Sequence, residues 1–244
     1  METIHDLLGY DGLKIIQSDE KFRFSIDSLV LADFVQIRKQ TKRLVDIGCG
    51  NGPISLFLTL KTTLPIVGVE IQESLALQAQ QSVGLNHCED QVTIVHEDIR
   101  VISKQEAFYH QFDVVVANPP YFEYNEHSHV NKNEYLTIAR HEVKLTLEEL
   151  VQAAEQMLSD HGYFYCIHRC VRLEELIIRL HHAGFKAKKI RFIHSKASQA
   201  SELVLVEAQK GGRGELIIEP PLVIYDHQNQ YSSEVMSIFH FKCE

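Results

Sequence analysis

The 244-residue chain contains no stretch approaching the roughly 18 consecutive apolar residues that a membrane-spanning helix requires. Its opening, METIHDLLGY, has neither the basic nor the apolar region of a secretory signal. Both absences lead to the expectation of a cytoplasmic protein without membrane contact. Cysteine is scarce: Cys49, Cys88, Cys166, Cys170 and Cys243 are odd in number and scattered through apolar or turn contexts, which fits reduced thiols better than a disulfide framework. Histidines are many, but His127-x-His129, His181-His182 and Cys166-x-x-x-Cys170 match no structural zinc spacing, so no metal is expected. No internal repeat, low-complexity tract or long flexible linker divides the sequence. One domain is therefore expected over 1–244, with 1–40 as an N-terminal cap segment, 41–210 as a catalytic core and 211–244 as a C-terminal extension.

The net charge of −9 argues against a general polyanion binder. The exception is local. Between Asp160 and Gly214 stand ten Lys or Arg against five Asp or Glu, a local +5 that leaves −14 for the rest. Within that segment Lys186, Lys188, Lys189, Arg191 and Lys196 cluster, a placement able to contact phosphates. Lysines guarding a solvated strand edge are the competing explanation.

Seven short apolar runs read as buried strands: Leu44 to Ile47, Pro65 to Val69, Val92 to Val95, Phe112 to Ala117, Tyr163 to His168, Ile190 to His194 and Leu203 to Glu207. Between them lie helix-like segments at Pro53 to Leu60, Gln72 to Leu85, Thr146 to Ser159 and Val171 to Ala183, the third opening on a capping-box pattern. Alternation at this interval predicts an α/β fold with a seven-stranded, mostly parallel sheet and helices on both faces, because parallel neighbours need crossovers. Ligands then bind beyond the strand C-termini. Two non-periodic stretches, Tyr121 to Val143 and Ser195 to Ser201, are long enough to be either functional or disordered.

The first run leads into Asp46-Ile47-Gly48-Cys49-Gly50-Asn51-Gly52-Pro53. A dinucleotide fingerprint needs a third glycine three residues after the second, and Pro53 stands there instead. That disfavours a nicotinamide oxidoreductase. The pattern resembles motif I of class I methyltransferases, whose Rossmann-like fold and S-adenosylmethionine cofactor the resemblance implies, with Asp46, Gly48, Gly50, Asn51 and Gly52 around the cofactor. Glu70 ends the second strand about 20 residues on, where a carboxylate can accept from ribose hydroxyls. Asp98 follows the third strand, where the same resemblance places an acceptor for the cofactor's adenine amine. Taken singly, Asp46 and Asp98 also suit turn capping and Glu70 a solvated strand end.

The fourth strand ends in Asn118-Pro119-Pro120-Tyr121-Phe122. Two prolines stiffen the backbone and turn carbonyls outward. An exocyclic amine is a poor nucleophile because its lone pair is delocalised into the ring. The Asn118 side-chain oxygen, also beside the cofactor, and the Pro119 carbonyl can each accept one of its N–H groups and aim the lone pair at a methyl donor, with no general base. Tyr121, backed by Phe122, can stack on the flat substrate for about 1–3 kcal/mol. The tetrad resembles motif IV of amino methyltransferases.

A narrower resemblance rests on Phe22-Arg23-Phe24-Ser25-Ile26-Asp27-Ser28, Asn118 to Phe122, Ala139-Arg140-His141-Glu142, Gly211 to Leu216 and Glu219 to Tyr225. These segments resemble the bacterial tRNA valine adenine-37 N6-methyltransferase family. The resemblance implies a tRNA substrate methylated at the adenine 3′ of the anticodon, with Arg140, His141, Lys188 and Lys189 on the substrate side and Phe24, Ser25 and Asp27 flanking the cofactor. Three alternatives stay open: methylation of another RNA base, methylation of a protein glutamine, and a non-catalytic RNA-binding protein. The glutamine enzymes usually carry a separate N-terminal helical domain, and only about forty residues precede the glycine loop here.

Overall fold

The computed structural model describes residues 2–7, 12–18, 26–119 and 145–239. A two-stranded antiparallel hairpin, β1 (Glu2–Asp6) and β2 (Lys14–Ser18), precedes helix α1 (Ile26–Phe34). The core then alternates β3 (Leu44–Ile47), α2 (Pro53–Thr59), β4 (Ile66–Glu70), α3 (Glu73–Leu85), β5 (Val92–His96), α4 (Ile99–Ile102) and β6 (Phe112–Ala117). It continues with α5 (Leu147–Met157), β7 (Leu158–Arg169), a 3-10 turn at Cys170–Arg172, α6 (Leu173–His182), β8 (Phe185–His194) and β9 (Leu203–Lys210). Two short strands, β10 (Ile217–Ile218) and β11 (Leu222–Val223), and helix α7 (Ser233–Phe239) complete the described chain. No described helix is long and apolar enough to cross a membrane.

All seven expected strands form one mixed sheet in the order β8-β9-β7-β6-β3-β4-β5, and β10 and β11 extend it to nine by pairing with β8. The pairs from β7 through β6, β3 and β4 to β5 are parallel, while β9 runs antiparallel between β7 and β8. Each β3 and β4 residue is buried, as strands covered on both faces must be. One apolar core unites α1, α2 and α7 with Leu44, Val114, Tyr165 and Ile167; the other unites α4, α5 and α6 with Val45, Ile47, Val115 and Ala117. The side-chain period of two sends alternate residues of each strand into opposite cores.

Local chemistry sets the ends. Pro53 occupies the first turn of α2, where no N–H is needed. Thr146 accepts from the Glu149 N–H at 3.2 Å while Glu149 accepts from the Thr146 N–H at 2.8 Å, the expected reciprocal cap of α5. Lys61, just past α2, donates to the carbonyls of Ala32 at 3.1 Å, Asp33 at 2.5 Å and Val35 at 2.7 Å, so its ammonium closes the C-terminal end of α1. Below the sheet, Arg38 pairs with buried Glu207 at 2.8 Å and stacks on Tyr163 at 3.5 Å.

Candidate active site

The parallel pairings place one residue of each central strand in a single row: Ala117, Ile47, Val69 and Val95 are mutual partners across β6, β3, β4 and β5. The next residue in each strand is therefore Asn118, Gly48, Glu70 and His96, side by side at the strand ends. With strands about 4.8 Å apart, Asn118 and Glu70 stand roughly 10 Å from each other with the glycine loop between them.

Gly48 and Gly50 adopt φ of 68° and 58°, and nothing lies within 4 Å of where a Cβ would project from either. The loop is thus a bare backbone cradle facing open space, held from behind by Gly48 and Cys49 N–H groups donating to Val69 O at 2.8 and 3.1 Å. Gly68, inside β4, is required for a different reason: a Cβ there would meet Cys49 Sγ at 2.9 Å and Ile94 Cδ1 at 2.7 Å.

Glu70 is buried and accepts the Gly50 N–H at 2.9 Å on one oxygen and the Gln72 N–H at 2.8 Å on the other. Each carboxylate oxygen keeps further lone-pair capacity for a ligand hydroxyl. Burial raises its pKa, and the donated N–H groups oppose that rise. Asp46 is fully buried; Ser55 donates to one oxygen at 2.8 Å, while the other has no partner among the described residues. Burial pushes its carboxyl up to about 7, with Ser55 pulling downward and Glu70 adding to the rise. An uncompensated oxygen below a bare glycine cradle suits a cationic or hydrogen-donating ligand group.

Asp98 does the capping work that its sequence context allowed. It accepts the Arg100 N–H at 2.9 Å as N-cap of α4, and the Arg100 guanidinium holds its carboxyl below the usual range. An adenine amine would share this carboxylate with Arg100. Asn51 lies in the loop as expected, but its amide donates to Ile16 O of β2 at 2.9 Å. Its side chain therefore ties the hairpin to the loop. Ser82 of α3 and Asn86, which caps that helix, complete the attachment, the latter exchanging bonds of 2.8 and 2.6 Å with Lys14.

At the other end of the row, Asn118 Nδ2 approaches buried Ser28 Oγ of α1 at 3.5 Å, and Pro119 is buried beside it. Ser28, Ser55 and the Ile16 carbonyl were not foreseen from the sequence; a lone hydroxyl in the apolar run Ile54-Ser55-Leu56-Phe57-Leu58 was the one available signal.

A sequence profile of the methyltransferase small domain matches residues 23–181. The chain belongs to this methyltransferase family. Among curated relatives of this methyltransferase, the tRNA1(Val) (adenine(37)-N6)-methyltransferase of Dyadobacter fermentans is 27% identical over 223 residues, covering 88% of this chain and 89% of its own. The protein of that name from Proteus mirabilis is 28% identical, covering 89% and 85%. Among solved structures, a predicted O-methyltransferase from Agrobacterium tumefaciens superposes with a TM-score of 0.67 at 19% identity, over 88% of this chain and 96% of the other. P. horikoshii TYW2, crystallised with MeSAdo, gives 0.59 at 15% identity, over 86% and 72%. These two likenesses establish the expected Rossmann-like class I architecture for the methyltransferase.

Lys188 and Lys189 are not brought to this site. They lie on β8, three strand positions from β6. Lys188 donates to Arg213 O at 2.7 Å and Lys189 pairs with Glu219 at 3.3 Å, so both bind the C-terminal segment. Tyr121, Phe122, Arg140 and His141, with Phe24, Ser25 and Pro120, lie outside the described residues. A recess of about 400 Å³ between α5 and α6, lined by Glu148, Gln152, Arg179 and His182 among others, contains none of the site residues.

Proposed function

We propose that this methyltransferase transfers the methyl group of S-adenosylmethionine to the exocyclic N6 of an adenine in tRNA, the adenine 3′ of the anticodon of a valine tRNA. The observation that supports this reading is the row of Asn118, Gly48 and Glu70 across three neighbouring strands, in which Asn118 would orient the amine beside a cradle for the cofactor. The names and coverage of the curated relatives support the same substrate. A tRNA substrate also agrees with the expected cytoplasmic location.

The residues present fit the cofactor. Glu70 has acceptor capacity for ribose hydroxyls, the bare backbone at Gly48 and Gly50 leaves room for close approach, and the unpartnered Asp46 oxygen is suited to the ammonium side of the amino-acid moiety. Asp98 is the acceptor for the adenine amine, shared with Arg100. When bound, S-adenosylmethionine supplies an electrophilic methyl on a sulfonium.

The chain's own part is positioning. Asn118 Oδ1 and the Pro119 carbonyl each accept one N–H of the substrate amine, which favours a pyramidal nitrogen whose lone pair points along the transfer axis. Two neutral acceptors need no proton removed before attack, so the rate need not follow a general base. Tyr121 stacks on the base, and Phe122, Arg140 and His141 complete the substrate side in this proposal. Extruding an anticodon-loop adenine costs only a few kcal/mol because it is already single-stranded.

The test is methyl transfer from labelled S-adenosylmethionine into total tRNA, total rRNA and ribosomal or release-factor protein, followed by nucleoside or residue analysis. N6-methyladenosine in tRNA supports the proposal. Label confined to rRNA or protein overturns the substrate while keeping the amine chemistry.

A further inference from the structure

The basic surplus between Asp160 and Gly214 is mostly consumed inside the molecule. Arg172 pairs with Glu175 at 2.8 Å, Arg179 with Glu148 at 2.9 Å, Lys189 with Glu219 at 3.3 Å and Lys210 with Glu155 at 2.8 Å; Arg191 pairs closely with Glu234, and Lys188 is held by Arg213 O. Lys188 aside, four cations of the segment remain without a carboxylate partner among the described residues: Arg169, Lys186, Lys196 and Arg213. The sheet sorts them into two pairs. Lys186 is the second residue of β8 and Arg213 follows β9, both at the end of the sheet opposite Asn118. Arg169 closes β7 and Lys196 follows β8, both at the end where Asn118 sits.

Register makes the second pair specific. Ala117 is opposite Cys166 on the neighbouring strand, so Arg169 lies two residues beyond the level of Asn118. At about 3.3 Å per residue along the strand and 4.8 Å across, the two backbones are roughly 8 Å apart. That is comparable with the reach from the exocyclic amine of a nucleotide to its own phosphate. Arg169 and Ile193 occupy one row through Leu203, and Lys196 continues outward from that row. Directly after Arg169 the 3-10 turn presents Val171, 87% exposed, an apolar surface able to meet a ribose or base.

We propose that this strand-end rim is the RNA-backbone track: Arg169 takes the phosphate of the extruded nucleotide, Lys196 takes a neighbouring phosphate, and the strand runs outward across β7, β9 and β8. Arginine's planar fork suits the inner, geometrically demanding phosphate, and lysine's point charge suits the outer one. Glu202, exposed beside Leu203, faces the same rim and keeps its net attraction modest, so affinity depends on the pocket as well as on charge. This assignment rests on the RNA-substrate reading above and replaces Lys188 and Lys189 as the phosphate-binding residues.

The experiment compares Arg169→Ala/Lys196→Ala with Lys186→Ala/Arg213→Ala, measuring binding of unfractionated tRNA from 50 to 200 mM salt, with S-adenosylmethionine affinity as a check on folding. The rim variant is expected to bind tRNA about tenfold more weakly, with the log-log salt slope shallower by about 1.4, the loss of two single-strand phosphate contacts. The opposite-end variant is expected to match wild type. An unchanged slope for the rim variant, or the effect appearing in the opposite-end variant instead, overturns the proposal. An enzyme that labels rRNA alone retires the tRNA reading, and the rim is then judged by the same slope on rRNA. Labelling of protein alone overturns both.

Discussion

Asn118 and Ser28 meet at 3.5 Å although 90 residues separate them, so helix α1 reaches the amide that directly follows β6. Asn118→Ala is expected to lower kcat by about 10²–10³-fold while cofactor affinity stays near wild type, because its acceptor acts on transition-state geometry. Ser28→Ala should lower kcat several-fold with the same unchanged affinity, and Ser28→Thr should restore it. Single-turnover kinetics with a cofactor titration check both; near-wild-type turnover of Asn118→Ala would remove the mechanism.

Glu70 joins the glycine loop to the start of α3 through its two backbone bonds. Glu70→Ala should weaken S-adenosylmethionine binding by about 10–100-fold, the scale of one lost charged hydrogen bond. Calorimetric titration reads this directly, and undiminished affinity retires the ribose assignment.

Asp46 gives a pH signature. Its folded pKa of about 7 lies above the ordinary 3.8, so the folded protein holds a proton that the unfolded chain has released. The stability this group supports is greatest at acid pH, declines as pH rises from about 4 to 7, and levels above that. A cationic ligand group beside the carboxylate draws the proton off. Cofactor affinity should therefore increase toward pH 7 and flatten above it, with proton release visible as buffer-dependent binding heat at pH 6.5. Asp46→Asn should abolish the release; release persisting in that variant assigns it elsewhere.

Lys61 bonds three carbonyls at the end of α1. Lys61→Met should cost about 2–4 kcal/mol of unfolding free energy, since those carbonyls lose a charged donor in a half-buried setting. Urea denaturation measures the loss, and a change below about 0.5 kcal/mol would show that water replaces the ammonium at no cost.

The sheet was legible because its strands are apolar in short runs and buried on both faces; β3 and β6 begin and end where the sequence placed them. β8 starts five residues before its apolar run, because Lys186, Lys188 and Lys189 give its N-terminal half a solvated face and a bulge near Lys189 breaks the alternation. Helix α1 escaped notice for the opposite reason. Ser28 to Ala32 are buried consecutively, and a helix covered all round has no 3.6-residue stripe to read. In the site, backbone requirements such as the glycines and acids at strand ends were readable. The Ser28, Ser55 and Ile16 contacts come from tertiary neighbours and left no spacing signal. The lysines of β8 misled because charge on a strand does not reveal which carboxylates fold back onto it.

The C-terminal segment has a role in the chain's own history. β10 and β11 supply only two residues each, yet they occupy the outer side of β8, fastened by Glu219 on Lys189 and Glu234 on Arg191. Without them a ten-residue strand would stand at the margin with its N–H and C=O groups unpaired, a template for any other extended chain. These guards follow β8 in sequence and are made after it. The growing polypeptide thus passes through an interval in which its catalytic strands can associate while their margin is still open, and that interval, rather than the finished enzyme, is where self-association threatens.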